Sequence, residues 1–284
     1  MRRKGEWRRL AARLAGVALL VALGLAAKAW SDTMADPRVV ETTFVHKGLP
    51  PGSGPVRIAL LSDIHVAGPD MPPERLERIV DRVNALRPDL VLIAGDLVSE
   101  KRLATRVYTP AQIVAPLAAL DAPLGVIVVP GNHDHWFGWP GLAAELDRHG
   151  IILLANSART AGPLVIGGLD DDFTGRADLR RTLAAMEPLA GARVLLSHSP
   201  DPFPDVPNSV PLVLAGHTHC GQIAYPWGGA PATMSDYGGR YACGRVDEHG
   251  KTLVVGAGLG TSLAPVRLFT RPEVWLVTVR AKTP

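Results

Sequence analysis

The sequence predicts an α/β domain built on a largely parallel sheet with helix crossovers, carried behind one N-terminal apolar helix. Three observations predict it. Short apolar runs alternate with a helical pattern through the middle of the chain, most of these runs end within a few residues in Asp, Asn or His, and the chain opens on a basic cluster followed by an uncharged apolar stretch. With 284 residues, 47% hydrophobic and 20% charged, the chain suits one large domain with a sizeable core and not a disordered one.

In chain order, Arg2, Arg3, Lys4, Arg8, Arg9 and Arg13 stand against the single acid Glu6, and residues 14–27 are then apolar without interruption until Lys28 and Trp30. This basic-then-apolar opening directs export. Two readings of residues 1–30 stay open. As a signal peptide, the run would be cut at the small-x-small sequence Ala27-Lys28-Ala29. As an uncleaved anchor, residues 10–30 would span the bilayer with Arg13 and Lys28 snorkelling and Trp30 at the far interface. The positive-inside rule then leaves the N-terminus in the cytoplasm and puts everything after Trp30 outside, in a periplasmic or extracellular position at a cell inner membrane. The opening segment carries +5 of a net charge of +3, so the remaining chain is at −2. A slightly acidic body argues against broad nucleic-acid binding, which needs a basic face.

Residues 31–55 read as a linker, polar and rich in Pro and Gly toward its end, with one candidate edge strand at 39–45. The domain is expected over 56–284. Its first strand is the apolar run 56–61, followed by Asp63 and His65. Leu76, Ile79, Val80, Val83 and Leu86 share one face of a helix over 73–87, with Pro73 at its start and Pro88 stopping it. The next strand, 90–94, leads into Gly95-Asp96. A helix over 110–120 is interrupted by Pro116. Strand 126–129 leads into Pro130-Gly131-Asn132-His133-Asp134. A helix over 138–149, strands at 151–154 and 164–166, a loop at 170–175 and a helix over 177–189 follow. Strands 193–196 and 210–214 precede His198 and His217, and the chain closes with strands at 252–255 and 274–279.

Ligands of open α/β sheets gather at the carboxyl ends of the strands, so Asp63, His65, Asp96, Asn132, His198, His217 and His219 can converge although they span most of the chain. One strand-end Asp is usually a helix cap and one His is usually core. Repetition after five strands asks for one shared cause. In the stretch Gly216-His217-Thr218-His219-Cys220-Gly221-Gln222, two histidines one residue apart point to the same side of an extended backbone. The two cysteines, Cys220 and Cys243, form a disulfide if the body is exported and stay reduced if it is not.

Asp63-x-His65, Gly95-Asp96, Gly131-Asn132-His133-Asp134, His198 and Gly216-His217-x-His219, in that order, resemble the motif set of the calcineurin-like metallophosphoesterases. The apolar start, the Gly48-Leu49-Pro50 lead-in and the Gly-His-Thr-His-x-Gly-Gln variant further resemble a membrane-anchored bacterial phosphodiesterase branch. That branch also holds a lipid A pathway enzyme cleaving UDP-2,3-diacylglucosamine. The resemblance implies a two-layer β-sandwich with flanking helices. It assigns Asp63, His65, Asp96 and His219 to one metal ion and Asn132, His198, His217 and the shared Asp96 to a second. Mixed N and O ligands without thiolate suit Mn, Fe or Zn, and a hydroxide held between two such ions would attack phosphorus. His133 then stabilises the transition state or protonates the leaving oxygen.

The sequence departs from the family at one place. Several family phosphatases carry Gly-Asp-x-x-Asp-Arg, whose later Asp orients the catalytic His, whereas this chain has Ser99 and Glu100 at those positions. His133 then lacks a carboxylate partner unless Glu100 or Asp134 turns toward it. The missing Arg removes a phosphate clamp and favours a diester or pyrophosphate over a doubly charged monoester. The substrate implied is an envelope or lipid-linked phosphodiester, with UDP-2,3-diacylglucosamine second, and a catalytically silent metal-binding scaffold is the competing class. His135 and Trp136 are candidates either to line the substrate groove or to lie in a surface loop, Arg267 either to contact phosphate or to form a structural ion pair, and Asp170, Asp171 and Asp172 to form a solvated turn near the cleft.

Overall fold

The computed structural model describes residues 2–50, 52–99 and 101–282. The alternation of side chains along β2 (Val56–Leu61) sends Ile58 and Leu60 to one face and Ala59 and Leu61 to the other, and both faces are buried. The same split recurs in β3 (Leu90–Ala94), where Leu90, Leu92 and Ala94 face one core and Val91 and Ile93 another. A strand apolar on both faces belongs between two covering layers.

Those layers are arranged as a sandwich. Before β2 come the helix α1 (Arg2–Met34) and the strand β1 (Arg38–His46). Between β2 and β3 lies α2 (Pro73–Ala85), and α3 (Pro110–Val114) precedes β4 (Val126–Val129). Then follow α4 (Asn132–Arg148), β5 (Ile152–Leu153), β6 (Ser157–Ala161), β7 (Leu164–Gly168), α5 (Leu179–Met186), β8 (Ala192–Leu196), β9 (Leu212–Ala215), β10 (Gly244–Glu248), β11 (Lys251–Val255) and β12 (Glu273–Ala281). One six-stranded sheet has the order β1-β12-β2-β3-β4-β5 and the other β10-β11-β9-β8-β7-β6. Ile58, Leu60, Leu92 and Ile127 of the first sheet meet Leu164, Ile166, Val194, Leu212 and Leu214 of the second in the central core. The first sheet's other face is covered by Leu76, Ile79, Val80 and Val83 of α2 and Leu142 and Leu146 of α4. Met186 of α5 packs on the second sheet. The two-layer β-sandwich with flanking helices is thus the observed architecture.

The strands that carry the strand-end motifs are mutually parallel: β2 with β3 and β3 with β4 in one sheet, β8 with β9 in the other. Their carboxyl ends therefore lie along one edge of the sandwich.

Several boundaries differ from the sequence expectation for physical reasons. Residues 31–55 are not a tether throughout: the edge strand expected at 39–45 is the nine-residue β1, paired in parallel with β12 along its whole length. The helix expected at 138–149 starts at Asn132, because Asp134 caps its first turn, and it bends at Gly138 (φ 127°). The helix at 110–120 ends at Val114 and continues as a 3-10 turn through Pro116, which has no N–H to donate. Strands β6 and β10 pair antiparallel at the outer edges of the second sheet and are polar on one face, so no apolar run marks them.

Helix α1 is long and apolar enough over residues 6–34 to cross a membrane, and it exposes Leu14, Val17, Leu20 and Leu23. Its last turn is built into the domain. Thr33 Oγ1 accepts the Arg267 amide at 2.7 Å, the Asp32 carboxylate accepts the Phe269 amide at 2.9 Å, and Arg75 donates to the carbonyls of Thr33 (2.9 Å) and Ala35 (2.8 Å).

Candidate metal centre

The loops after β2, β3, β4, β8 and β9 bring all seven strand-end residues to one place, and all seven are buried. The backbone is bent hard to do so. Asp63, His65, Asp96, His217 and His219 adopt φ of 48°, 50°, 57°, 70° and 52°, a left-handed region that Asp and His enter more readily than most side chains. Gly95 (φ 73°) allows the close approach of two of these loops, since a Cβ there would lie 2.7 Å from the Gly131 nitrogen and 2.8 Å from His198 Nδ1.

Three of the four imidazoles are oriented by a carbonyl at the outward nitrogen, while His219 Nδ1 faces Arg267 Nη2 at 3.4 Å. His198 Nδ1 lies 2.7 Å from the Ala94 carbonyl, His65 Nδ1 2.9 Å from the Val98 carbonyl, and His217 Nε2 3.1 Å from the Met234 carbonyl. A carbonyl only accepts, so each of these nitrogens carries its hydrogen and the inward nitrogen presents a lone pair. Inward, His198 Nε2 lies 3.0 Å from Asn132 Oδ1, 3.0 Å from His217 Nδ1 and 3.3 Å from Asp96 Oδ2. Four electron-pair donors meet there, and only a cation reconciles them.

The neighbouring group shares Asp96 but differs at His219, whose outward nitrogen faces the donating Arg267 guanidinium. His65 Nε2 lies 3.1 Å from His219 Nε2 and 3.5 Å from Asp96 Oδ2, and His219 Nε2 lies 3.5 Å from Asp63 Oδ1. Asp96 Oδ2 thus faces both groups. Donor atoms of Asp63, His65 and His219, and of Asp96, His198 and His217, lie within 4.8 Å of one another in each trio.

The electrostatics carry the same message. Burial opposes ionisation of Asp96, yet the charge of His198 and its hydrogen bond hold the carboxyl well below the usual range. Burial disfavours the His198 imidazolium, but Asp96 and then Asp63 overcome it and raise that ring to about 10. Burial raises Asp63 to about 6. It lowers His217 to about 3, with help from His198, and holds His65 and His219 well below the usual histidine range. Among the described protein atoms, a proton on His198 and the Arg267 guanidinium 3.4 Å from His219 Nδ1 are the positive charges next to this cluster. Divalent ions answer it with more charge, and the N and O donors fit them.

Asp134 ties two of the site loops together, a role the motif order did not single out. Its carboxylate accepts the amides of Asp96 (2.8 Å), Leu97 (2.8 Å), Val98 (3.2 Å) and Gly131 (3.0 Å), tying the loop after β3 to the start of α4. Burial and then the Asp96 charge raise it to about 7, against the pull of those amides. Asp134 is therefore not turned toward His133. Glu100, the other expected partner, lies outside the described residues. Ser99 Oγ accepts the Lys101 amide.

His133, in the first turn of α4, packs edge-on against His65 at 4.8 Å between ring centroids and against Trp136 at 4.9 Å. Its Nε2 lies 3.3 Å from Ser262 Oγ, and its buried Nδ1 has no partner among the described residues. A cleft of about 360 Å³ opens over the cluster. Asp96, Asn132, His133, His217 and His219 contribute to it along with the apolar side chains of Trp136, Phe173, Ile223, Met234 and Leu263. Phe173, Ile223, Met234 and Leu263 come from loops without periodicity, so no pattern in the sequence marked them.

Three expected contacts are placed elsewhere. His135 turns away from the cleft and its Nε2 pairs with Asp170 at 2.7 Å. Arg267 is fully buried behind His219, where it donates to the carbonyls of Gly260 (2.5 Å) and Ala257 (2.8 Å), so it packs the site from behind and does not reach into the cleft. Asp171 departs from the expected solvated turn, since it is fully buried and accepts the Thr174 amide at 2.7 Å, while Asp170 and Asp172 are partly exposed.

Cys220 and Cys243 are disulfide-bonded, with Cα atoms 4.8 Å apart. The bridge follows His219 directly and excludes Cys220 as a thiolate ligand. Closing this loop, with a sequence separation of 23, is worth roughly 3 kcal/mol in the chain-entropy account.

The calcineurin-like phosphoesterase family matches residues 56–221. The Bacillus subtilis (strain 168) protein named Uncharacterized metallophosphoesterase YkuE is 30% identical over 259 residues, covering 87% of each chain. A Danio rerio protein named Transmembrane protein with metallophosphoesterase domain is 31% identical over 287 residues, 93% of this chain and 62% of that one. Its Bos taurus namesake is 30% identical over 277 residues, 87% of this chain and 58% of that one. The chain spans most of the bacterial relative and about three fifths of the vertebrate ones.

Proposed function

The chain belongs to the calcineurin-like phosphoesterases, and from that membership we propose that it hydrolyses a phosphodiester or phosphoanhydride bond of an envelope or lipid-linked substrate on a two-metal centre. The observation that carries this reading is the pair of lone-pair clusters sharing Asp96 at the floor of an apolar cleft. Asp63, His65, Asp96 and His219 would hold one ion, and Asp96, Asn132, His198 and His217 the other. When bound, such ions (Mn, Fe or Zn) neutralise phosphoryl charge and lower the pKa of water toward ~7.

The remaining work falls to the chain. His133 stands at the cleft with Ser262 against its Nε2 and supplies or stabilises the proton at the leaving oxygen. No carboxylate among the described residues hydrogen-bonds to it, and its proton matters more for the alkoxide leaving from a diester than for the oxygen leaving from a pyrophosphate. Trp136, Phe173, Ile223, Met234 and Leu263 exclude water around the reacting bond and offer acyl chains a surface. The deciding experiment is a screen of the purified, Mn²⁺-loaded full chain in detergent against phospholipids, UDP-sugars, UDP-2,3-diacylglucosamine and bis-p-nitrophenyl phosphate. Turnover of a lipid diester is the expected result. Turnover of the UDP-lipid alone selects the pyrophosphatase reading, hydrolysis of soluble nucleotides alone removes the lipid, and a metal-loaded protein inert on all of them is a scaffold.

For location, the reading is a single-pass inner-membrane protein with the N-terminus cytoplasmic and the body outside. Support comes from the basic cluster ahead of α1, the disulfide, and a helix that runs unbroken through Ala27-Lys28-Ala29 with its end packed on the domain. Protease added to intact spheroplasts should reach the body, and thiol labelling of unreduced, denatured protein should find no free cysteine. A protected body with two labelled thiols would reverse the topology.

A further inference from the structure

The anchor and the cleft are joined by one short stretch of chain. Residues 267–269 hydrogen-bond to Asp32 and Thr33 on one side. On the other they pair with the loop that follows the disulfide: the Ala224 amide donates to the Leu268 carbonyl at 2.9 Å, and the Leu268 amide donates to the Gln222 carbonyl at 3.0 Å. Gln222 in turn accepts the Ser262 amide at 2.8 Å and donates to the Ala264 carbonyl at 3.2 Å. The two loops running 222–229 and 262–269 thus form one hydrogen-bonded unit at the foot of α1.

That unit displays large apolar side chains to solvent. Trp227 is 81% exposed and stacked on Tyr225 at 5.3 Å, Leu263 is 61% exposed, and Ile223 and Phe269 are also exposed, as is Trp30 at the end of the helix. A single exposed apolar side chain is ordinary, but Trp227, Tyr225, Ile223, Leu263 and Phe269 are exposed together on one hydrogen-bonded unit, and such groups mark interaction surfaces. Lys28 of the helix lies 5.2 Å over the Phe269 ring. With Arg38 and Arg271 it lines a cavity of about 560 Å³ shared with Tyr225 and Phe269. Aromatic rings beside exposed basic side chains, at the point where an apolar helix meets a folded body, are the chemistry of the bilayer interface, with its apolar boundary and anionic headgroups.

We propose that loops 222–229 and 262–269 form a membrane-seating platform that docks the domain on the headgroup layer beside its own anchor. The occupant is the bilayer surface, because the helix enters it at this same edge. Ile223 and Leu263 belong both to the platform and to the cleft wall, so the mouth of the metal site is held at the depth of the headgroups. The proposal rests on the anchor reading of α1 and gives the lipid-substrate reading a route for its substrate.

The test uses the full chain reconstituted in vesicles of brominated phosphatidylcholine and phosphatidylglycerol, read by tryptophan fluorescence. The anchor and platform put Trp7, Trp30 and Trp227 at the bilayer and the cleft mouth adds Trp136, so Trp227→Phe is expected to remove roughly a quarter of the lipid-quenched intensity. Equal quenching of wild type and variant overturns the proposal, as does a platform covered by a second copy of the chain with Trp227 shielded from lipid. In a second arm, Tyr225→Asp with Trp227→Asp is expected to lower hydrolysis of a vesicle-borne diester about tenfold and to leave soluble bis-p-nitrophenyl phosphate turnover unchanged. Quenching of Trp227 without any lipid turnover supports the platform while ending the lipid-substrate reading.

Discussion

Asp96→Asn is expected to reduce hydrolysis of bis-p-nitrophenyl phosphate by roughly a thousandfold or more, equivalent to ~4 kcal/mol of transition-state stabilisation, in a protein that remains folded. Asp96 Oδ2 lies 3.3 Å from His198 Nε2 and 3.5 Å from His65 Nε2, and Oδ1 accepts the His133 amide at 2.9 Å. An asparagine fills the same space and keeps the bond to the His133 amide. Its NH₂ group would donate to the lone pairs of His198 and His65, satisfying the cluster without any metal. The variant should therefore bind at most one divalent ion per chain by elemental analysis while its melting temperature is preserved. Activity within tenfold of wild type would remove Asp96 from its shared position.

Asp134→Asn separates architecture from chemistry in the opposite way. One carboxylate takes four backbone amides, from Gly131, Asp96, Leu97 and Val98. Asn offers a single oxygen and aims an NH₂ group at amides that are themselves donors. Bonds to charged acceptors are worth ~1.5–3 kcal/mol each, and buried donors left bare cost more than the bond alone. A loss of about 3 kcal/mol or more is expected, roughly 6–12 °C in melting temperature for a domain of this size. The same change slackens the loop carrying Asp96, so metal affinity should fall with it. A variant with unchanged melting and full metal content would show that the loops hold without this hub.

How much of this could be read from residue order follows from where each feature's cause lies. Strands β2, β3, β4, β8 and β9 are apolar on both faces, so they stand out as runs, and the ligands stand at their ends. The seven ligand candidates were legible for that reason, whereas the runs by themselves implied only a largely parallel sheet and the second layer came from the family resemblance. Strand β1 was half legible, because only its pairing with β12 distinguishes it from a polar tether. Arg267 was legible only as a cation that could meet either a phosphate or a structural partner. Its burial depends on carbonyls of residues 257 and 260, whose loop conformation no periodicity encodes. His135 and Trp136 differ by one position on α4, and the helix turns one toward Asp170 and the other toward the cleft.

The ligand set also bears on which compartment supplies the metal. Asp63 and His219 come from opposite sheets, and the full set exists only after both sheets have closed on each other. A chain threaded unfolded across a membrane carries, at most, isolated fragments such as Gly216-His217-Thr218-His219, too weak to retain an ion in transit. On the exported topology proposed above, the protein must be metallated where it folds. Its resident ion is then set by what is free outside the cytoplasm, and the bridge between Cys220 and Cys243, fixing the chain next to His219, forms in that same place.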